Sequence, residues 1–102
     1  MADKVMHDLD REHVMKRVAE ELDEAVYIFP PMNGPHEAYA VILEELDEFW
    51  TETKKKRSER DPGTMYNELL QIAAMAARAI IDLGLVPKHR SDAEERACRW
   101  RR

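Results

Sequence analysis

Four oxygen-bearing side chains recur at matched spacing in two stretches rich in apolar residues. Glu45 and Glu48 stand three residues apart in VILEELDEFW (41–50), and Glu68 and Gln71 stand three apart in NELLQIAAMAARAI (67–80). On a helix, residues three apart lie on one face, a turn from each other. If both stretches are helices and pack antiparallel, the two pairs face one another and four oxygen ligands converge, with no histidine or thiol nearby. Such donors suit a hard divalent cation, Mg2+ or Mn2+, which keeps some waters and takes phosphate oxygens as remaining ligands. Glu68 is the most informative of the four, because a carboxylate in so apolar a helix is costly unless exposed, paired or coordinating. The competing reading is an exposed rim of acids, since Glu-x-x-Glu arises by chance in many charged helices.

Helices are what the chain offers to position these groups. It has only three glycines and no sustained alternation of apolar and polar residues, so strands are not expected. Met6, Leu9, Val14, Val18, Leu22 and Val26 recur at helical spacing and predict a first helix from about Asp3 to Ile28. FPPMNGPH (29–36) breaks it. A second helix is predicted from His36 to about Lys56, and a third from Pro62 to Leu83, with Asp61 as its cap and Gly84 and Pro87 as its stop. SDAEERACRW (91–100) opens with Ser91 and Glu94 in a capping-box pattern and predicts a short fourth helix. The fold class is therefore all-α, a bundle of about four helices in a single domain over residues 1–102.

Each helical residue advances by about 100°, which sorts the acids of the second helix by face. With Glu45 at zero, Tyr39, Ile42, Leu46, Phe49 and Trp50 fall at roughly 40–140° and form the expected core face. Asp47 at roughly 200° and Glu44 at roughly 260° belong to solvent, whereas Glu45 and Glu48, at roughly 0° and 300°, flank the apolar stripe.

Composition narrows the function classes. A formal net charge of −5 argues against a protein that holds a long duplex by its phosphates. Cys98 is the only cysteine, so an intrachain disulfide and a cysteine zinc site are excluded, in keeping with a reducing compartment. The longest apolar run, IAAMAARAII, is interrupted by Arg78 and is too short to span a bilayer, and the first residues show no signal-peptide pattern. A cytoplasmic location without membrane association is expected. At 102 residues the buried fraction is limited, so a homodimer or homotetramer is expected to cover leftover apolar surface.

The two motifs together carry a resemblance. EELDE, nineteen intervening residues from Glu48 to Glu68, and then ELLQIAAMAARAI resemble the MazG-like family of all-α nucleoside triphosphate pyrophosphohydrolases, whose signature is Glu-x-x-Glu, a spacer and Glu-x-x-Asp. HEAYAVILEELDEFW with NELLQIAAMAARAI is similar to the small single-domain proteins of that family found in phages and bacteria, over roughly residues 36–83. The resemblance implies Mg2+-dependent cleavage of a nucleoside triphosphate between its α and β phosphates, with Glu45, Glu48 and Glu68 as catalytic metal ligands and a dimer or tetramer as the assembly. Gln71 stands where the family pattern has aspartate, and an amide ligates without bringing charge. The alternative is therefore a non-catalytic helical oligomer, or a nucleotide-binding protein, that has lost full charge at this position.

Weaker candidates for contact with substrate are His36 at the start of the second helix, Lys54 in the basic run KKKR, and Arg78. Each has an ordinary structural reading: a helix-start histidine, a solvated helix end, and an ion pair with Asp82 four residues on. No Glu-x-x-His pair occurs, so a di-iron bundle is not expected. The tail CRWRR (98–102) is read as a frayed or docking terminus rather than a nucleic-acid clamp.

Overall fold

A computed structural model describes residues 2–87. Among these the chain forms three α-helices, α1 (Ala2–Ile28), α2 (Pro35–Thr53) and α3 (Pro62–Asp82), with one short 3-10 turn at Arg57–Glu59 and no strand. The fourth helix expected from Ser91 onward and the basic tail lie outside the described residues.

The ends of α2 and α3 form where the sequence supplies partners for orphaned backbone groups. Pro35 occupies the first turn of α2, and the Glu37 carboxylate accepts from both the backbone N–H and the side-chain amide of Asn33. At the other end of α2, the Arg60 Nε–H donates to the carbonyls of Thr53 and Lys55. Asp61 caps α3, accepting from the Gly63 N–H at 3.2 Å and from the Thr64 hydroxyl at 2.7 Å. The Thr64 hydroxyl first, and then the Gly63 N–H, hold the Asp61 carboxyl below its usual value. Gly84 takes a left-handed φ of +67° and closes α3, with the Leu85 N–H donating back to the Ile80 carbonyl.

Helix α3 is the hub. Both other helices pack on it, and they do not pack on each other. Val41 and Ile42 from the first half of α2 gather with Met75 and Ala79 from the second half of α3 and with Leu83, its C-cap, so these two helices run antiparallel. Two polar contacts fix α1 in a parallel register instead. His13 meets the Tyr66 hydroxyl at 3.3 Å, and the Ala25 carbonyl accepts from Arg78 at 2.7 Å, each pair 53 residues apart. By that register Leu9 is level with Pro62, and the first turns of α1 overhang α3 by roughly 10 Å. Val5 and Met6 are exposed for that reason.

Arg78 anchors the α1 end. Its side chain is only 3% exposed, and it donates to Asp82 and to the carbonyls of Ala25 and Phe29. Asp82 in turn accepts from the Met32 N–H at 2.9 Å, so one ion pair on α3 satisfies both the last turn of α1 and the loop that follows. This is the pairing that the i, i+4 spacing predicts.

The core is thin. Its buried hydrophobics are Val18, Ala25, Met32, Ala38, Leu70, Ala74 and Ala79, and the four alanines among them set close helix contacts rather than filling volume. The face of α2 that meets α3 also differs from the expected one. Ala38, Val41, Ile42, Glu45, Phe49 and Glu52 are buried or half-buried, a stripe centred near Glu45 itself. Tyr39, Leu46 and Trp50, expected in the core, are exposed, Tyr39 at 68% and Trp50 at 57%. Helix α2 carries two apolar sectors, and the small Ala38 allows the sector containing Glu45 to lie closest to α3.

Candidate functional site

Because Glu45 lies on the stripe facing α3, its carboxylate points into the seam between the two helices. Glu48 follows one turn later on α2, and Glu68 comes from α3. One carboxylate oxygen from each of the three lies within 4.8 Å of the others. Glu48 is exposed, while Glu45 and Glu68 are half-buried. The Oε2 atoms of Glu45 and Glu68 are shielded from solvent and, among the described residues, accept no hydrogen bond.

Electrostatics records the same shortage of partners. Burial, followed by the charges of Glu48 and Glu68, pushes the Glu45 carboxyl up to about 7. Burial and then Glu48 raise the Glu68 carboxyl. Like charges this close, in part out of water, favour keeping a proton or gaining a cation. Two orphaned oxygens and an all-carboxylate donor set fit a hard divalent ion on both counts.

Gln71, one turn beyond Glu68, is half-buried and lines a cavity of about 200 Å³ together with Glu45. The opposite wall of that cavity is α1, which brings Glu21, Glu24, Ala25 and Ile28. A second cavity of about 350 Å³ lies toward the loop after α1, among Met32, Glu37, Val41 and Glu44. Phe29, Glu45 and Met75 line both, so Glu45 connects the carboxylate cluster to two recesses.

The other sequence candidates fall elsewhere. His36 is exposed in the first turn of α2. Lys54 is exposed at the opposite end of that helix, as its C-cap. Arg78 reaches the wall of the larger cavity, with its guanidinium bonded as described above. Glu21, Glu24, Phe29 and Met75 were not singled out by spacing. For Glu21 and Glu24 a signal existed, since they stand three residues apart on α1, the spacing of the other two pairs, and Glu21 lies one turn before the small Ala25. Phe29 and Met75 read as ordinary apolar positions.

No protein-family model, curated protein or solved structure matches the chain. The MazG-like resemblance therefore stands on the motifs within residues 36–83 alone. Among the described residues, no helix is long and apolar enough to cross a membrane.

Proposed function

We propose that the protein is a divalent-cation-dependent nucleoside triphosphate pyrophosphohydrolase, with Glu45, Glu48 and Glu68 holding Mg2+ or Mn2+ and Gln71 as a neutral neighbour. The observation that carries this reading is the convergence of three carboxylates within 4.8 Å, two of which present a buried oxygen with no hydrogen-bond partner among the described residues. A triphosphate is a polyanion and approaches such a site only as its metal complex. Glu45, Glu48 and Glu68 would hold the cation, which would supply positive charge to offset that of the phosphates when water displaces pyrophosphate from the α phosphorus. The larger of the two recesses beside Glu45, at about 350 Å³, has the size of a small-molecule pocket and an apolar wall of Phe29, Met32, Val41 and Met75 suited to a base or sugar.

The test is pyrophosphate release from a panel of ribo- and deoxyribonucleoside triphosphates with Mg2+ or Mn2+, a chelator control, and the Glu45→Gln and Glu68→Gln proteins. Metal-dependent formation of pyrophosphate and monophosphate is expected, falling about 100-fold or more in either variant. Full activity in either variant would overturn the assignment of ligands. The specific observation that favours a second reading is Gln71, whose amide reaches the same cavity as Glu45 but adds no charge. Binding of metal–nucleotide without turnover would establish that reading.

A further inference from the structure

The larger recess follows one flank of α2. Glu37, Val41, Glu44 and Glu48 have the spacing i, i+4, i+7, i+11 and so share that flank. The first three line the recess, and Glu48 belongs to the carboxylate cluster. Glu37 stands eight residues before Glu45, about 12 Å along the helix. The sugar and base of a nucleotide cover that distance when its phosphates sit at the cluster. The polar groups that meet such a base are acceptors. Arg78 also lines the recess, but each of its guanidinium nitrogens already donates, to Asp82 or to the carbonyls of Ala25 and Phe29. Glu37 is held in place, its Oε2 accepting from the Asn33 N–H at 2.9 Å and from the Asn33 side-chain amide at 3.0 Å. Both bonds fall on Oε2, which leaves Oε1 to the recess. Glu44 adds a second, exposed carboxylate.

We propose that this recess selects guanine nucleotides over those of uracil and thymine, with Glu37 reading the edge of the base through Oε1. The inference rests on the pyrophosphohydrolase reading for the placement of the phosphates. An ionised carboxylate accepts hydrogen bonds and donates none. Guanine presents its N1–H and its N2 amino group side by side, and one carboxylate oxygen, with two lone pairs, accepts from both. Hydrogen bonds to a charged acceptor are the stronger kind. Uracil and thymine present a single N3–H between two carbonyl oxygens, which turn their own lone pairs toward the same carboxylate. Adenine and cytosine each carry one amino group beside a ring nitrogen that accepts, and they fall between. Phe29, Met32, Val41 and Met75 supply apolar contact for the faces of the ring without favouring any base. Discrimination therefore falls to the carboxylates.

The test compares bases within one protein. In the full chain with Mg2+, kcat/KM for pyrophosphate release is expected to be about 10-fold or more higher for GTP than for UTP. Binding of GMP and UMP, followed by calorimetry, reads the same preference without turnover. Glu37→Gln is the decisive variant. Its amide oxygen keeps the bonds from Asn33, so the amide N–H2 takes the place of Oε1 and the group facing the base changes from acceptor to donor. The GTP-to-UTP ratio is then expected to fall to about one or to invert, which the loss of a merely structural contact would not produce. Pyrophosphate released equally from GTP and UTP, or a ratio that Glu37→Gln leaves unchanged, would overturn this inference and leave the hydrolytic reading intact. No release from any triphosphate, with GMP bound in preference to UMP and that preference lost in Glu37→Gln, would overturn the hydrolytic reading and support the selectivity. No release and no such preference would overturn both.

Discussion

Glu45 and Glu52 stand two helical turns apart on the same face of α2, both turned toward α3, and their carboxylates meet opposite surroundings. Glu52 is 5% exposed and fully engaged: one oxygen accepts from the Asp61 N–H at 2.8 Å, the other from the Lys55 ammonium at 3.0 Å. The Asp61 bond first, and then Lys55, hold its carboxyl below the ordinary value. Glu45 meets Glu48 and Glu68 where Glu52 meets donors, and its carboxyl is pushed up to about 7 by burial and by those charges. Identical residues on one stripe thus serve different ends. Glu52 joins α2 to the start of α3, and Glu45 is left with an oxygen for which the described residues supply no donor.

The comparison can be tested from both sides. The largest effect on stability is expected at Glu52. Its replacement by alanine strips the Asp61 N–H and Lys55 of their acceptor and should lower the melting temperature by several degrees, with or without divalent cations. A melting temperature unchanged in Glu52→Ala would erase the structural half of the contrast.

The next effect is the pH dependence of the metal-free protein. Because the folded carboxyl of Glu45 titrates above its unfolded value of 4.5, the native state holds a proton that the unfolded chain has released. Stability from this group is present below pH 4.5 and is lost as pH rises to about 7. Glu45→Gln removes the titrating group and should flatten the melting temperature across that window, whereas the Glu52 variant should keep the wild-type slope. An equal slope in wild type and Glu45→Gln would place the strain elsewhere.

The smallest effect sharpens the contrast within the site. Gln71→Asp adds a fourth carboxylate near Glu45 and should tighten Mg2+ or Mn2+ binding several-fold by calorimetry while lowering the metal-free melting temperature. Unchanged affinity would show that position 71 does not contribute to the site.

Much of this arrangement was legible in the residues. The bounds of the three helices followed from spacing and from Asp61, Pro62 and Gly84, because caps and breakers act locally. The convergence of Glu45, Glu48 and Glu68 followed from matched i, i+3 spacing and an antiparallel hairpin. What the sequence did not reveal was rotation. Helix α2 has apolar residues over more than half its circumference, and hydrophobicity alone favoured the bulkier sector with Tyr39, Leu46 and Trp50. The packing of Ala38 and Ala79 selected the other, a matter of close approach between partners distant in sequence. The work of Glu52 was hidden for the same reason, since its donor is the backbone of Asp61 and any residue type there except proline would supply it.

The parallel register of α1 bears on how the chain reaches this structure. Its polar links to α3 close loops of about 50 residues, whereas Glu52 and Asp61 join α2 to α3 across nine. Closing the longer loop costs more chain entropy, and among the described residues α1 packs on no second helix to share that cost. We expect the α2–α3 hairpin to form early and α1 to dock onto it last. In native-state hydrogen exchange the amides of α1 should then open as a unit while those of α3 stay protected, and equal protection of the two helices would rule out this order.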